Sequence, residues 1–236
     1  MDALCTADLA MDGVVVTAPA DLVMRTCAPD QWLPRAEAEA IRRHLRPDDR
    51  VARFAAWGLA RTLLGLICAA DPAGLAITRD GAGRPHLADR AGPDFNLSHA
   101  GGWVAVGLSR AGRIGVDVEQ ARPCAIWDAV AADFLPGDAL ALWSGLGEAD
   151  RAATALRQWC MREAVLKATG EGLAGDLRTL DLPLTALNAH IARGGRDYRV
   201  GALDLADGHG LGFATDAASP PDILLLCEGD GAFRTA

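Results

Sequence analysis

Between Phe95 and Glu119 three alternating β-type runs follow one another with only short turns between them. FNLSH (Phe95 to His99) ends the first, Trp103–Leu108 and Ile114–Val118 are the next two, and Ser109 to Gly112 divides the latter pair. Turns this short join antiparallel neighbours, because a parallel crossover needs a dozen residues or more. Helical periodicity is segregated elsewhere. A short charged helix is predicted over 34–46. Pro47 then opens a longer one, whose apolar residues Val51, Phe54, Ala55, Leu59, Leu63, Leu66 and Ile67 recur at helical spacing until Asp71-Pro72. A further helical stretch covers roughly 124–170 and ends at Gly170, where a helix C-terminus favours a residue free to take positive φ. Val14–Thr17, Leu22–Cys27 and Leu75–Thr78 read as extended, Asp80 to Pro85 as a turn, and Tyr198–Leu205, Gly210–Thr215 and Ile223–Cys227 as closing strands. Clustered strands and clustered helices make this an α+β chain and exclude a doubly wound parallel sheet.

Half of the 236 residues are apolar, so a core can form without disulfide or metal staples. The six cysteines are scattered singly with no CxxC, which argues against zinc and a disulfide framework and for a reducing compartment. The N-terminus is acidic where a secretion signal would be basic, and no apolar run approaches the ~20 residues of a membrane span. The expected location is the cytoplasm, with no membrane partner. A net charge of −8 disfavours nucleic acid, although Arg35, Arg42, Arg43, Arg46, Arg50, Arg53 and Arg61 supply a local basic stretch.

Of the 23 basic residues only Lys167 is a lysine. Arginine stays protonated at any working pH, whereas a lysine can give its proton away, so the exception marks a position where an amine matters. Lys167 follows Trp159 and Glu163 at i, i+4, i+8 on one helical face, which sets a carboxylate one turn from the amine. In GVDVE (Gly115 to Glu119) the two acids alternate with valines, so on a strand Asp117 and Glu119 share a face ~7 Å apart. Such a pair suits a hard divalent cation, and equally a solvated strand face. Asn96, Ser98 and His99 at a strand end can donate to phosphate oxygens or bond their own turn. The Gly83-Arg84-Pro85 segment can be a turn with an exposed charge.

Taken in order, GRP, FNLSH, GVDVE and WCMREAVLKATGEGL resemble the signature set of the 4′-phosphopantetheinyl transferases, in the larger class typified by activators of surfactin-type peptide synthetases. The resemblance covers Gly83 to Leu173 closely, Pro47 to Ala70 loosely, and the first thirty and last fifty residues thinly. It implies two similar α+β halves, 1–109 and 110–236, joined as an intramolecular pseudo-dimer for which a monomer suffices. Coenzyme A would bind in the cleft between them, with Mg²⁺ on its pyrophosphate. Asp117, Glu119 and Glu163 would hold the metal. His99 and Ser98 would contact the 3′-phosphate, Arg84 would lie at the nucleotide end, and Arg53 or a near neighbour would reach a phosphate from the long helix. Lys167 would stand by the pyrophosphate, and Glu163 would accept the proton of the attacking serine of an apo acyl or peptidyl carrier protein. The products would be the loaded carrier and 3′,5′-ADP.

Two positions depart from the family pattern: Arg162 stands where a lysine is usual, and Cys160 where a serine or other small residue is. The family's first strand has no clear counterpart. Two rival functions use the same residues, namely a carrier-binding module without catalysis and a Mg²⁺-dependent phosphohydrolase. Carrier proteins are typically acidic around the modified serine, so Arg42, Arg43, Arg46 and Arg50 are the expected docking patch.

Overall fold

The computed structural model describes residues 12–27, 32–43, 46–89, 91–226 and 233–235, so Cys5 and Cys227 lie outside the described residues. Strand β1 (Gly13–Pro19) runs directly into helix α1 (Ala20–Cys27). The segment Leu22–Cys27, expected to be extended, is therefore helical. Its Leu22, Val23 and Cys27 are buried together, and Asp21 pairs with Arg25 at 2.7 Å one turn on. Burial of one helical face outweighs the weak β preference of a six-residue window.

Helices α2 (Arg35–Arg42) and α3 (Pro47–Cys68) follow, with Pro47 in the first turn of α3 and Ala69 closing it in the left-handed region at φ 50. By length and hydropathy alone Asp49–Cys68 would pass for a membrane span, contrary to the expectation from the sequence. It is a core helix: Ala55, Ala56, Leu59, Ala60, Leu63 and Leu64 are all fully buried inside the protein.

A small hairpin, β2 (Ile77–Arg79) and β3 (Pro85–Leu87), precedes β4 (Asp94–Ala100), β5 (Trp103–Ser109) and β6 (Ile114–Gln120). Pro136 and the Gly145–Gly147 turn split the next stretch into α4 (Cys124–Phe134), α5 (Gly137–Ser144) and α6 (Glu148–Thr169), the last capped by Gly170 at φ 81. Strands β7 (Asn188–Arg193), β8 (Arg196–Leu205), β9 (His209–Thr215), β10 (Asp222–Leu226) and β11 (Phe233–Thr235) complete the described chain.

One sheet has the order β11-β10-β1-β5-β4 and another β6-β9-β8-β7. The same plan is built twice. Among the described residues, a first strand, two short helices, a 22-residue helix and an antiparallel hairpin give β1-β5-β4 with α3, then β6-β9-β8 with α6. Residue 110, the expected boundary, falls in the turn between β5 and β6, while β10 returns to lie parallel to β1 in the first sheet.

Strand alternation sorts the core into layers. Val14, Val16 and Ala18 of β1 pack with α3, whereas Val15 turns to the other sheet and meets Trp103, Val116, Val118, Leu211 and Phe213. The order is thus α3, first sheet, second sheet, α6. Helix α6 lies tight on its sheet because glycines face it: a Cβ on Gly115 would sit 2.0 Å from the Ala164 carbonyl oxygen, and one on Gly212 would sit 2.3 Å from the Cys160 carbonyl. Gly115→Ala and Gly212→Ala should each cost about 2–3 kcal/mol in urea unfolding, because backbone cannot yield to the added methyl. Gly81→Ala, whose Cβ would meet nothing, should stay within about 0.5 kcal/mol of the parent protein.

Candidate active site

The site is built where two edge strands meet. β4 ends the first sheet and β6 ends the second, and each offers a row of unpaired backbone groups. Alternate side chains of β4 satisfy β6 in steps. Asp94 accepts from the Ile114 amide at 2.8 Å, Asn96 accepts from the Val116 amide at 3.0 Å, and the Ser98 hydroxyl donates to Asp117 Oδ1 at 2.9 Å. Asn96 and Ser98 thus bond across the seam rather than within their own turn.

Lys167 completes this row from α6. Its ammonium donates to Asp117 Oδ1 at 2.6 Å, to Ser98 Oγ at 2.9 Å and to the Val116 carbonyl at 3.1 Å. Asp117 is buried, and its second oxygen, Oδ2, has no partner among the described residues. Glu119 lies two residues along β6 and is paired at 3.4 Å with the exposed Arg122. Glu163 stands one helical turn before Lys167. Burial pushes the carboxyls of Glu119 and Glu163 above their ordinary range, and the charge of Asp117 adds to both. Behind Glu163, Trp159 is gripped by Phe134 and Trp127 at ring distances of 5.3 and 6.3 Å, which fixes this turn of α6.

A cleft of about 370 Å³ runs around the edge of β4 and is lined by Arg53, Trp57, Arg79, Pro85, Asn96, Leu97, Ser98, His99, Asp117, Glu119 and Lys167. Four elements, α3, β4, β6 and α6, therefore bring the expected Arg53, Ser98, His99, Asp117, Glu119 and Lys167 to one place. Glu163 does not line the cleft but is electrostatically coupled to Asp117, Glu119 and Lys167. Arg84, expected at the nucleotide end, is only 7% exposed. Its Nη2 donates to Asp94 at 2.6 Å and the Ile114 carbonyl at 2.7 Å, and its Nη1 to the Lys167 carbonyl. It ties α6 to both edge strands. Arg162 points away from the cleft, buried, with Nη1 donating to the Leu177 and Leu180 carbonyls at 2.8 and 2.7 Å; burial draws its pKa down to about 10. The Cys160 thiol is buried against the Gly210 carbonyl. Sequence reasoning missed Trp57 and Arg79 in the cleft, because their neighbours give no motif to flag them.

Two family models match in tandem, "4′-phosphopantetheinyl transferase, N-terminal" over residues 26–110 and "4′-phosphopantetheinyl transferase superfamily" over 113–211. The chain is 32% identical over 133 residues to the 4′-phosphopantetheinyl transferase AcpT of Salmonella typhimurium, covering 56% of this chain and 67% of that one. The chain belongs to the 4′-phosphopantetheinyl transferase superfamily. It is also similar to the transferase HetI of a Nostoc species, 30% identical over 142 residues, covering 59% of this chain and 60% of that one. A Bacillus subtilis 4′-phosphopantetheinyl transferase matches at 26% over 171 residues, covering 72% and 70%. The chain thus spans somewhat more than half the length of the cyanobacterial relative.

Among the described residues no three acid, histidine or cysteine side chains form a ready-made metal cage, and the cation that Asp117 holds is Lys167. The donor set nevertheless fits a hard cation. Asp117 leaves one buried oxygen unsatisfied, and Glu119 and Glu163 carry charge that burial and mutual repulsion disfavour.

This frustration has a sign in stability. Carboxyls whose pKa is raised on folding hold protons that the unfolded chain, with its usual value of 4.5, releases first. Stability therefore falls as pH rises above about 4.5 and the two carboxylates ionise. Glu163→Gln should raise the melting temperature by about 2–4 °C at pH 7.5, and the gain should vanish near pH 4, as read by thermal unfolding across pH.

Proposed function

We propose that the protein transfers the 4′-phosphopantetheine arm of coenzyme A to a serine of an apo acyl or peptidyl carrier protein and releases 3′,5′-ADP. The observation that carries the reading is the meeting of Lys167, Asp117 and Ser98, from three separate elements, in a cleft with arginines at one side and carboxylates at the other. The two tandem family matches, one on each half, support it.

In the reaction the serine oxygen bonds to the β-phosphorus of coenzyme A, and the bond from that phosphorus to the departing 3′,5′-ADP breaks. The serine proton must leave and the leaving diphosphate must be stabilised. Glu163, whose carboxyl is lifted by burial, is the group suited to take the proton. Lys167, held by Asp117 and Ser98, directs its ammonium into the cleft to pair with the leaving oxygens. Arg84 sets the position of Lys167 through its backbone carbonyl. Mg²⁺ held by Asp117, Glu119 and Glu163 would supply neutralisation of charge on the phosphoryl oxygens.

Acceptor docking is assigned to the basic stretch near the start of α3, where Arg42, Arg43 and Arg46 are exposed. Cys27, Cys68, Cys124 and Cys160 are free thiols, in keeping with a cytoplasmic enzyme. A single chain carries both halves of the cleft, so a monomer suffices.

Incubation with coenzyme A, Mg²⁺ and an apo carrier should add one phosphopantetheine arm to the carrier by intact-protein mass. Lys167→Ala should lower kcat about 10²- to 10³-fold. In the absence of carrier, Mg²⁺ should raise the melting temperature of the parent protein but not of Asp117→Ala. An unchanged carrier mass, or hydrolysis of coenzyme A without transfer, would count against the reading.

A further inference from the structure

The side chains that tie β4 to β6 run along the seam in steps, from Asp94, which accepts the Ile114 amide, to Ser98, which donates to Asp117. Beyond Ser98, β4 continues to Ala100 and β6 to Gln120, and Glu119 lies in that last stretch. A side chain from the second sheet crosses there. His209, the first residue of β9, pairs in register with Gln120 and places Nε2 3.1 Å from the Gly101 carbonyl in the β4–β5 turn. A carbonyl only accepts, so Nε2 carries the hydrogen and donates.

The contact is built from both sides. His209 is 4% exposed, its ring lies 5.6 Å from that of Trp103, and by alternation it continues the row of Leu211 and Phe213 between the sheets. The Gly208 carbonyl accepts from the Ala121 amide at 2.7 Å, which joins the start of β9 to the end of β6. Gly101 takes φ 54, and a Cβ on it would stand 2.5 Å from Nε2 and 2.8 Å from the Gln120 side chain, so the turn presses directly on this pair. On the opposite side the Gly102 carbonyl accepts from the Ala20 amide at 2.7 Å. The turn is thereby clamped between α1 and β9.

Filling the core does not require a histidine here. Its other ring nitrogen, Nδ1, is buried with no partner among the described residues, a cost that a phenyl ring would not carry. Nor does His209 line the cleft, so it does not touch what binds there. Its effect reaches the cleft through the turn. Ser98 and His99 come from β4, Asp117 and Glu119 from β6, and a molecule held by both strands feels any change in their spacing. Arg84 fixes that spacing at the Asp94 end. Glu119, at the other end, has the exposed Arg122 as its ion-pair partner.

We propose that His209 is a positioning residue for the transfer, holding the β4–β5 turn against the end of β6 so that Ser98 and His99 stand at a fixed distance from Asp117 and Glu119. The inference rests on the reading of the protein as a phosphopantetheinyl transferase. Its test compares His209→Phe, which keeps a ring on Trp103 and loses the donor, with His209→Gln and His209→Asn. The Gln amide nitrogen can take the place of Nε2, whereas the Asn amide, one methylene shorter, cannot reach the Gly101 carbonyl.

His209→Phe should melt within about 3 °C of the parent protein, yet its KM for coenzyme A should rise about 10-fold with an apo carrier as acceptor. His209→Asn should behave like the Phe variant, and His209→Gln should recover most of the loss. A partly misfolded enzyme loses kcat with KM unchanged, so a raised KM is the mark of positioning. The dissociation constant of coenzyme A, measured by calorimetry with Mg²⁺ and without carrier, should follow the same order. An unchanged KM in His209→Phe, or equal losses in the Gln and Asn variants, overturns the proposal, and the two amides decide it alone where the Phe variant does not fold. If the parent protein loads no carrier yet coenzyme A still binds in the order parent and Gln above Asn and Phe, the positioning role stands and the transferase reading fails.

Discussion

The guanidinium of Arg84 is the interaction on which the site depends. It sits at the junction of β4, β6 and α6, and its Nη atoms reach the Asp94 carboxylate and the carbonyls of Phe95, Ile114 and Lys167. No ladder joins β4 to β6, so the register of the seam is set by side chains alone. Asp94 helps twice, by neutralising the buried arginine and by accepting the Ile114 amide. The Lys167 carbonyl lies in the last turn of α6, where backbone acceptors lack intrahelical partners. Arg84 therefore caps the helix with the same atoms that position its lysine. A neutral side chain there would strand several buried carbonyls and the Asp94 carboxylate at once, so the halves and the chemistry would fail together.

Charge in the cleft is divided along the edge of β4. One side presents arginines without carboxylate partners, the other presents carboxylates that burial and proximity make unfavourable when ionised. Lys167 sits between them and is shared by Asp117 and Ser98. Such an arrangement weakens the fold locally, and an anion bound with its counter-cation would relieve both sides of it. This is the kind of strain expected where binding has been favoured over stability.

Much of this was legible in the chain. The strands β4 to β6 and the long helices follow from alternation and helical spacing, whereas the grouping of Asp117, Glu119, Ser98, His99 and Lys167 is what the resemblance of the motifs to the family implies. What escaped was decided by tertiary contact. Leu22 and Val23 look extended in isolation and are helical because one face of α1 is buried. Asn96 looks like a turn residue and instead satisfies an amide on the other half. Arg84 reads as an exposed charge in a GRP turn, yet the turn delivers it into the seam. Gly115 reads only as the first residue of the GVDVE strand, and what requires a glycine there is the backbone of α6. Trp57 and Arg79 are neighbours only in space, so no window of sequence could pair them.

The repeated plan places the acids of β6 against apolar residues of β1. At matching positions β1 turns Val14, Val16 and Ala18 toward its helix, whereas β6 turns Gly115, Asp117 and Glu119. The two long helices preserve a different correspondence. Arg61 and Arg162 occupy the same step of two 22-residue helices, and each is buried. Each uses Nη1 to hold two carbonyls three residues apart in the turn that follows its helix, Pro72 with Leu75 and Leu177 with Leu180. The first arginine also pairs with Glu37 through Nε and Nη2, while the corresponding atoms of the second are buried without partners. Arg162 thus staples the turn after α6 as Arg61 staples the one after α3, with no carboxylate partner among the described residues. Because it faces the turn after α6, on the side of the helix away from Glu163 and Lys167, a positive charge beside Glu163 in the sequence is not a charge beside it in the site.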